Sequence, residues 1–401
     1  MALFSAFQGP LLFEDASVFL HRVNYTDLPV LHYYVGYIPA SIELFSEAAG
    51  IFPLPVQALL YPAFSVALFI LLLAYLRRLC GNPHAALLVA AYVFLLDRTY
   101  LTLIAFSQWT AVVALIVLGA ILCIERRSAT ITELIVVAFL AAFSPLTICA
   151  VPIFALYIWQ QPRKAAPYVA FAIVLVLAIV LRDPLNDRGD IAQIVTNLAL
   201  NVAGLFTAAD PVVDFSGGSL PLSPNKLIWM ASLVVSIGGF FWAALHRRDP
   251  VLSAFAVCLV GINVLSFASV RHHDFPLEPR YYFSTVVCAI VYLTIRPGTR
   301  WAQALRWIAP GVFALGLLGG AARMADCQDC TSMAEILAFD GTGDPVVIDR
   351  LSGDWTLAIG NYQLDSAQCT EAPPPEGGYG FRVHCNRNSW IYIESAQDAG
   401  N

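Results

Sequence analysis

Two adjacent carboxylates, Glu14 and Asp15, stand inside the apolar run FEDASVFL at residues 13–20. Side chains that ionise near pH 4 are costly beside a membrane unless something uses or solvates them. A carboxylate within hydrogen-bond reach of a hydroxyl serves as its general base. Much later, RHHDFPLEPR (271–280) is the most charged short loop in the chain, and it enters the next apolar run through PRYYF. The planar fork of an arginine binds phosphate bidentately and keeps its charge, so Arg280 suits the departing phosphate of a membrane-held donor. His272 and His273 offer further donors, and Asp274 or Glu278 could hold a divalent metal ion or an acceptor sugar. Each residue also has a plainer reading. Arg280 can snorkel from a helix end, the histidine pair can decorate the interface, and Asp97 can simply pair with Arg98. Tyr33, Tyr34, Tyr37, Tyr281 and Tyr282 fit an aromatic belt as well as a sugar-stacking platform.

The elements that must position these groups follow from composition. Of 401 residues, 59% are hydrophobic and 12% charged, where soluble domains carry roughly 25% charged residues; mean hydropathy is +0.70. The chain reads as an all-α polytopic membrane protein, with no nucleic acid among its expected partners. The net charge of −6 says little, because what matters is the side on which each charge lies. No cleavable signal pattern opens the chain. MALFSAFQGPLLF supplies about a dozen residues before Glu14, where a span needs roughly 20; the first helix is either unusually short or clipped by the assigned start.

Apolar runs at 57–76, 84–96, 109–124, 132–143, 146–160, 167–181, 227–245, 251–270, 281–295 and 304–320 predict about 10 to 11 transmembrane helices, counting the N-terminal stub. Placing the segment before the first full span outside puts Arg77, Arg78, Arg126, Arg127, Arg163, Lys164, Arg247, Arg248, Arg296, Arg300 and Arg306 in cytoplasmic turns, against only Glu125, Glu133 and Asp249. That bias is what the positive-inside rule demands. Four extracytoplasmic segments result, at 13–56, 97–109, 182–226 and 271–280. In the first, Ile38, Ile42, Phe45 and Ala49 share one helical face and Glu43 and Glu47 another, which predicts an interfacial amphipathic helix near 38–49. In the third, Ile191, Ile194, Val195, Leu198, Val202 and Leu205 oppose Gln193, Asn197 and Asn201, predicting a second such helix over 191–206.

The chain divides into a membrane domain, 1–322, and a small β-rich extracytoplasmic C-terminal domain, 323–401. The tail is polar, punctuated by Gly and Pro, and carries the alternating runs PVVIDRL, WTLAI, YGFRVHC and SWIYIES expected of strands. Cys80, Cys123, Cys149, Cys258 and Cys288 fall in or at the ends of spans and read as packing residues. Cys327, Cys330, Cys369 and Cys385 all lie in the tail and are disulfide candidates in an oxidising compartment, with three possible connectivities. The rival is a redox or zinc site at DCQDC, against which stand its acidic flanks and the lack of a completing His spacing.

FEDASVFL, VGYIPASIELFSEAAGIFPLP, FSQW and PRYYF, in that layout over roughly residues 1–320, make the chain resemble a bacterial member of the GT-C superfamily of polytopic glycosyltransferases. The resemblance implies use of a polyprenyl-phosphate-linked sugar on the outer face of the bacterial inner membrane. It implies an essential acid in the first outer loop, here Asp15 or Glu14, and contact of Arg280 with the donor phosphate. The expected acceptor is a cell-envelope glycan or lipid. An O-antigen-type polymerase or ligase would instead depend on outer-loop basic residues. A coupled transporter would keep ionisable groups near the membrane midplane, where these spans hold almost none.

Overall fold

The computed structural model describes residues 38–96, 107–180, 224–269, 282–295, 298–325, 346–351 and 355–359, together with 19, 23, 195, 196, 198 and 199. The membrane portion of these residues is all helical. In chain order the helices are α1 (Ala40–Gly50), α2 (Leu54–Cys80), α3 (His84–Leu96), α4 (Ser107–Glu125), α5 (Ile131–Ala141), a 3-10 turn (Pro145–Ala150), α6 (Val151–Gln160), α7 (Ala166–Val180), α8 (Pro224–Phe241, continued by a π-helical turn, Trp242–Arg247), α9 (Pro250–Ser269), α10 (Phe283–Thr294) and α11 (Thr299–Ala325).

All ten apolar runs found in the sequence are helical, but they are not equal. Five stretches are long and apolar enough to cross a bilayer: Leu59–Cys80, Ser107–Glu125, Leu227–Arg247, Pro250–Ala268 and Arg300–Gly319. The remaining five described apolar helices have 10 to 17 residues, short of the roughly 20 that a span needs. The central pillar is α4, whose residues from Ser107 to Cys123 are all buried. A helix apolar all round belongs inside a bundle, and this one has neighbours on every side. The expected packing cysteines, Cys80, Cys123, Cys149, Cys258 and Cys288, are free and buried.

Local signals set the helix ends. The left-handed Gly81 (φ 67°) stops α2. A capping box starts α5, with the Thr130 side chain accepting from the Glu133 N–H while Glu133 reaches back to the Thr130 N–H, which satisfies two otherwise orphaned donors. Asp249 Oδ1 accepts from the Val251 and Leu252 N–H groups at 3.1 Å and starts α9.

Hydrogen bonds between turns show that the basic turns gather at one end of the bundle. Arg78, ending α2, donates to both Glu125 oxygens at 2.8 and 2.6 Å. The Tyr157 hydroxyl near the end of α6 donates to the Arg127 carbonyl at 3.1 Å, and Lys164 Nζ donates to the Arg126 carbonyl at 2.9 Å. Asn82, between α2 and α3, donates to the Thr294 carbonyl at the end of α10, 3.0 Å. Tyr292 in turn donates to Leu252 in the first turn of α9, 2.8 Å, beside Arg247 and Arg248. Arg296 lies outside the described residues. Exposed tryptophans mark the same end: Trp159 in the last turn of α6, Trp242 where α8 turns π-helical, and Trp301 at the start of α11, as expected where a membrane meets water. At the opposite end Trp109 and Trp229 are buried.

One close approach sets a testable limit on packing. A Cβ added at Gly239 of α8 would lie 2.6 Å from Tyr292 Cδ2 and 2.7 Å from Cγ on α10, while one added at neighbouring Gly238 would meet nothing within 4 Å. Overpacking a filled interface costs about 1–3 kcal/mol. Gly239→Ala is therefore expected to lower the thermal midpoint of the purified protein, and Gly238→Ala to leave it unchanged or raise it by helix propensity. Equal midpoints for the two variants would contradict the close α8–α10 contact.

In the tail, β1 (Val346–Leu351) and β2 (Trp355–Ile359) pair antiparallel, with Val346 opposite Ile359, Ile348 opposite Leu357, and an irregularity between Ile348 and Leu351. These are the runs PVVIDRL and WTLAI. The runs YGFRVHC and SWIYIES, and Cys327, Cys330, Cys369 and Cys385, lie outside the described residues.

Candidate functional site

The end of the bundle opposite the basic turns carries a layer of buried polar side chains, and α1 is the first described helix there. Ser41 fixes α1 to the end of α5: its hydroxyl donates to the Phe139 carbonyl at 2.6 Å and its N–H to the Ala142 carbonyl at 3.3 Å. Phe45 then stacks on Phe64 of α2, with centroids 4.1 Å apart, and meets Tyr61 edge-on at 5.4 Å.

This docking corrects the expected polarity of the helix. The sequence pattern put Glu43 and Glu47 on the wet face of an interfacial helix. In the structure the buried face of α1 is Ser41, Ile42, Glu43, Ser46 and Ala49; Glu43 is 0% exposed while Leu44 is 58% exposed. The reason is the surroundings. Where the exterior is lipid, an apolar residue faces outward at no cost and a carboxylate is driven inward, the reverse of the rule in water. Glu43 is the residue that reading by pattern missed. Its signal was a carboxylate flanked by Ile42, Leu44 and Phe45.

Other groups at this end come from four more helices. Gln57 in the first turn of α2 is buried, its amide donating to the Phe52 carbonyl at 2.7 Å. Ser107, Gln108 and Thr110 open α4 and are buried. Where α9 and α10 face each other, the Ser284 hydroxyl donates to Asn263 Oδ1 at 2.8 Å, and Ser266 is buried beside them in sequence.

Of the residues singled out from sequence, Tyr282 is described. It precedes α10, is 3% exposed, and its ring lies flat on Trp229, with centroids 4.1 Å apart and planes 4° apart, while Phe267 meets it at 5.3 Å. Trp229 Nε1 donates to the Tyr92 hydroxyl at 3.3 Å. Tyr282 thus belongs to a closed aromatic stack joining α3, α8, α9 and α10. Glu14, Asp15, His272, His273, Asp274, Arg280 and Tyr281 lie outside the described residues, as does most of the helix expected at 191–206. Their connections are nonetheless informative. Helix direction alternates along the bundle, so Ser269 and Tyr282, which flank 270–281, both stand at the polar end. So do Leu96 and Ser107, which flank 97–106, and Val180 and Pro224, which flank 181–223.

Four of the charges at the basic end, Arg78, Arg127, Glu125 and Glu133, form one network. Arg127 Nη1 donates to Glu133 Oε2 at 2.7 Å, its Nη2 donates to Oε1, and its Nε donates to Glu125 Oε2 at 2.5 Å. Arg78 bridges to Glu133 at 3.4 Å. The Arg127 hydrogen bond, helped by the Thr130 N–H and hydroxyl, holds the Glu133 carboxyl at about 2, well below the usual carboxylate range. The same contact raises the guanidinium of Arg127 above its ordinary value. This network pins α2, α4 and α5 together. Among the described residues no cluster of three His, Cys, Asp or Glu side chains could hold a metal ion. No family model, curated protein or solved structure matches the chain.

Proposed function

We propose that the chain is an integral membrane glycosyltransferase that moves a sugar from a polyprenyl-phosphate donor to a cell-envelope glycan or lipid acceptor. The observation that carries the reading is the full burial of Glu43 within a polar layer at the bundle end where the flanks of 97–106, 181–223 and 270–281 emerge. Ionisable groups held inside a membrane protein are functional by default. The positive-inside rule makes the Arg-rich end cytoplasmic, so the polar end faces the periplasm of a bacterial inner membrane, and α11 delivers the C-terminal domain to that same side.

In this scheme Asp15, with Glu14 as alternate, takes the proton of the acceptor hydroxyl. The acceptor oxygen bonds to the anomeric carbon with inversion, the bond from that carbon to the phosphate oxygen breaks, and polyprenyl phosphate leaves. Arg280, aided by His272 or His273, stabilises the phosphate in a partly dehydrated site. Asp274 and Tyr281 contact the sugars, and Tyr282 braces the start of α10 behind them. The scheme needs no cofactor; a divalent cation at Asp274 is the one addition it admits.

The test is transfer of radiolabel from a polyprenyl-phosphate sugar to an envelope acceptor by the protein reconstituted in liposomes. Arg280→Lys, which keeps the charge and loses the bidentate fork, is expected to lower the rate by about tenfold or more, the worth of one charge-assisted hydrogen bond. Uptake of labelled solute into the liposomes without transfer would replace this reading by a transporter. Transfer that needs Arg280 yet ignores both first-loop acids would favour a polymerase or ligase of the O-antigen type.

A further inference from the structure

The basic end holds two kinds of arginine. Arg78 and Arg127 are neutralised by Glu125 and Glu133. Arg247 and Arg248, at the tight turn from α8 to α9, are exposed, and neither has a carboxylate at ion-pair distance among the described residues. The acid beside them, Asp249, has its carboxylate turned to the N–H groups that begin α9. Arg247 is not loose: its guanidinium carbon lies 5.0 Å from the centroid of the Trp242 ring. Arg248 holds φ at 51°, a left-handed conformation that glycine adopts at lower cost.

Directly inward from this pair, α8 and α9 enclose an apolar groove of about 500 Å³, with Ile237, Phe240 and Phe241 on one wall and Val257, Gly261 and Leu265 on the other. It opens outward, since Phe241 and Val257 are both about half exposed. At 1.5 Å per residue the groove runs from about 9 to about 22 Å along α9 from its start, spanning the middle of a hydrocarbon core roughly 30 Å thick, about 6 Å on the near side of its centre and about 7 Å beyond it. Cations at the headgroup level and an apolar channel running inward from them match an amphiphile lying in that leaflet.

We propose that the groove and the Arg247–Arg248 pair form one binding site for an anionic glycerophospholipid of the leaflet at the basic end. The phosphate meets the two guanidinium groups, the Trp242 indole sits at the level of the glycerol, and one acyl chain occupies the groove. The choice of an anionic lipid over a neutral one rests on the uncompensated charge, since unpaired arginines near a bilayer surface attract acidic headgroups. A detergent, a second copy of this chain or a zwitterionic lipid would use the groove and ignore the pair. The site is independent of the chemistry proposed at the opposite end.

Native mass spectrometry of the full-length protein, titrated separately with phosphatidylglycerol and phosphatidylcholine of identical chains, tests it. Wild type is expected to retain one phosphatidylglycerol at activation energies that strip phosphatidylcholine, with at least a tenfold difference in apparent affinity. The double variant Arg247→Gln, Arg248→Gln is expected to lower phosphatidylglycerol retention to the phosphatidylcholine level, and Val257→Trp, which fills the groove, to lower both. Equal retention of the two lipids by wild type, or unchanged retention by the double variant, would overturn the site. A dimer abolished by Val257→Trp would reassign the groove to a second copy. If Val257→Trp fails to fold, quenching by brominated lipids decides the matter without it: the fluorescence difference between wild type and Trp242→Phe should be quenched more strongly by brominated phosphatidylglycerol, and equal quenching by both lipids rejects the proposal.

Discussion

Asp15→Asn is expected to lower sugar transfer by about 10²- to 10⁴-fold, the usual contribution of a positioned general base, while retention of the lipid donor stays within about twofold of wild type. Asparagine keeps the size of the side chain and its ability to accept a hydrogen bond but cannot take up a proton. A purely structural role would therefore be largely preserved, and a basic one lost. Glu14→Gln is expected to be mild if Asp15 is the base, and the two effects exchange if the roles are reversed. Rescue by Asp15→Glu at a reduced rate would mark a proton acceptor placed slightly off its best position. Measurement of single-turnover rates with labelled donor separates the chemical step from donor binding. Wild-type rates in both single variants and in the double would leave the proposed chemistry without its base.

Glu133→Ala is expected to be the most damaging change at the basic end, lowering stability by about 2–3 kcal/mol: about 1 for the lost hydrogen bond from the Thr130 N–H, the Thr130 side of the capping box being kept, the rest for leaving Arg127 and Arg78 with less compensation in a partly shielded network. Glu133→Gln separates the two contributions, because glutamine can complete a capping box but carries no charge. Its expected cost is about 1–2 kcal/mol, on the scale of a single charge-assisted hydrogen bond. The pH dependence follows from the carboxyl being held at about 2 in the folded protein. A depressed acid stabilises the fold fully above its unfolded value, near 4.3, and that contribution is lost as pH falls from there toward about 2. The difference in thermal midpoint between wild type and Glu133→Gln should thus be constant above pH 5 and shrink on acidification. A difference that grows in acid would mean that Glu133 is not the depressed group.

The helical segments and the gathering of basic turns at one end were legible because both rest on composition summed over many residues. The ten apolar runs are helical, five of them long enough to cross a bilayer, and the described arginines counted into cytoplasmic turns share one end of the bundle, tied together through Asn82, Tyr157, Lys164 and Tyr292. What could not be read was anything decided by which neighbour a face meets. Counting Glu125 and Glu133 as two stray acids among basic turns gave no hint that they bind Arg78 and Arg127 across 47 and six residues. The periodicity of α1 correctly predicted that Ile42 and Ala49 are buried, but it did not predict that Glu43 is buried with them on the same face; that is decided by the docking through Ser41 and Phe45. Tyr282 looked available for stacking on a sugar because its partner Trp229 is 53 positions away, and no local pattern announces such a pairing.

The shortness of α5 has a consequence for reach. Its 11 residues climb about 17 Å from the basic end, some 13 Å less than a hydrocarbon core of roughly 30 Å, and α1 rests on the point where it stops. The buried carboxylate of α1 is therefore sunk below the plane of the far headgroups.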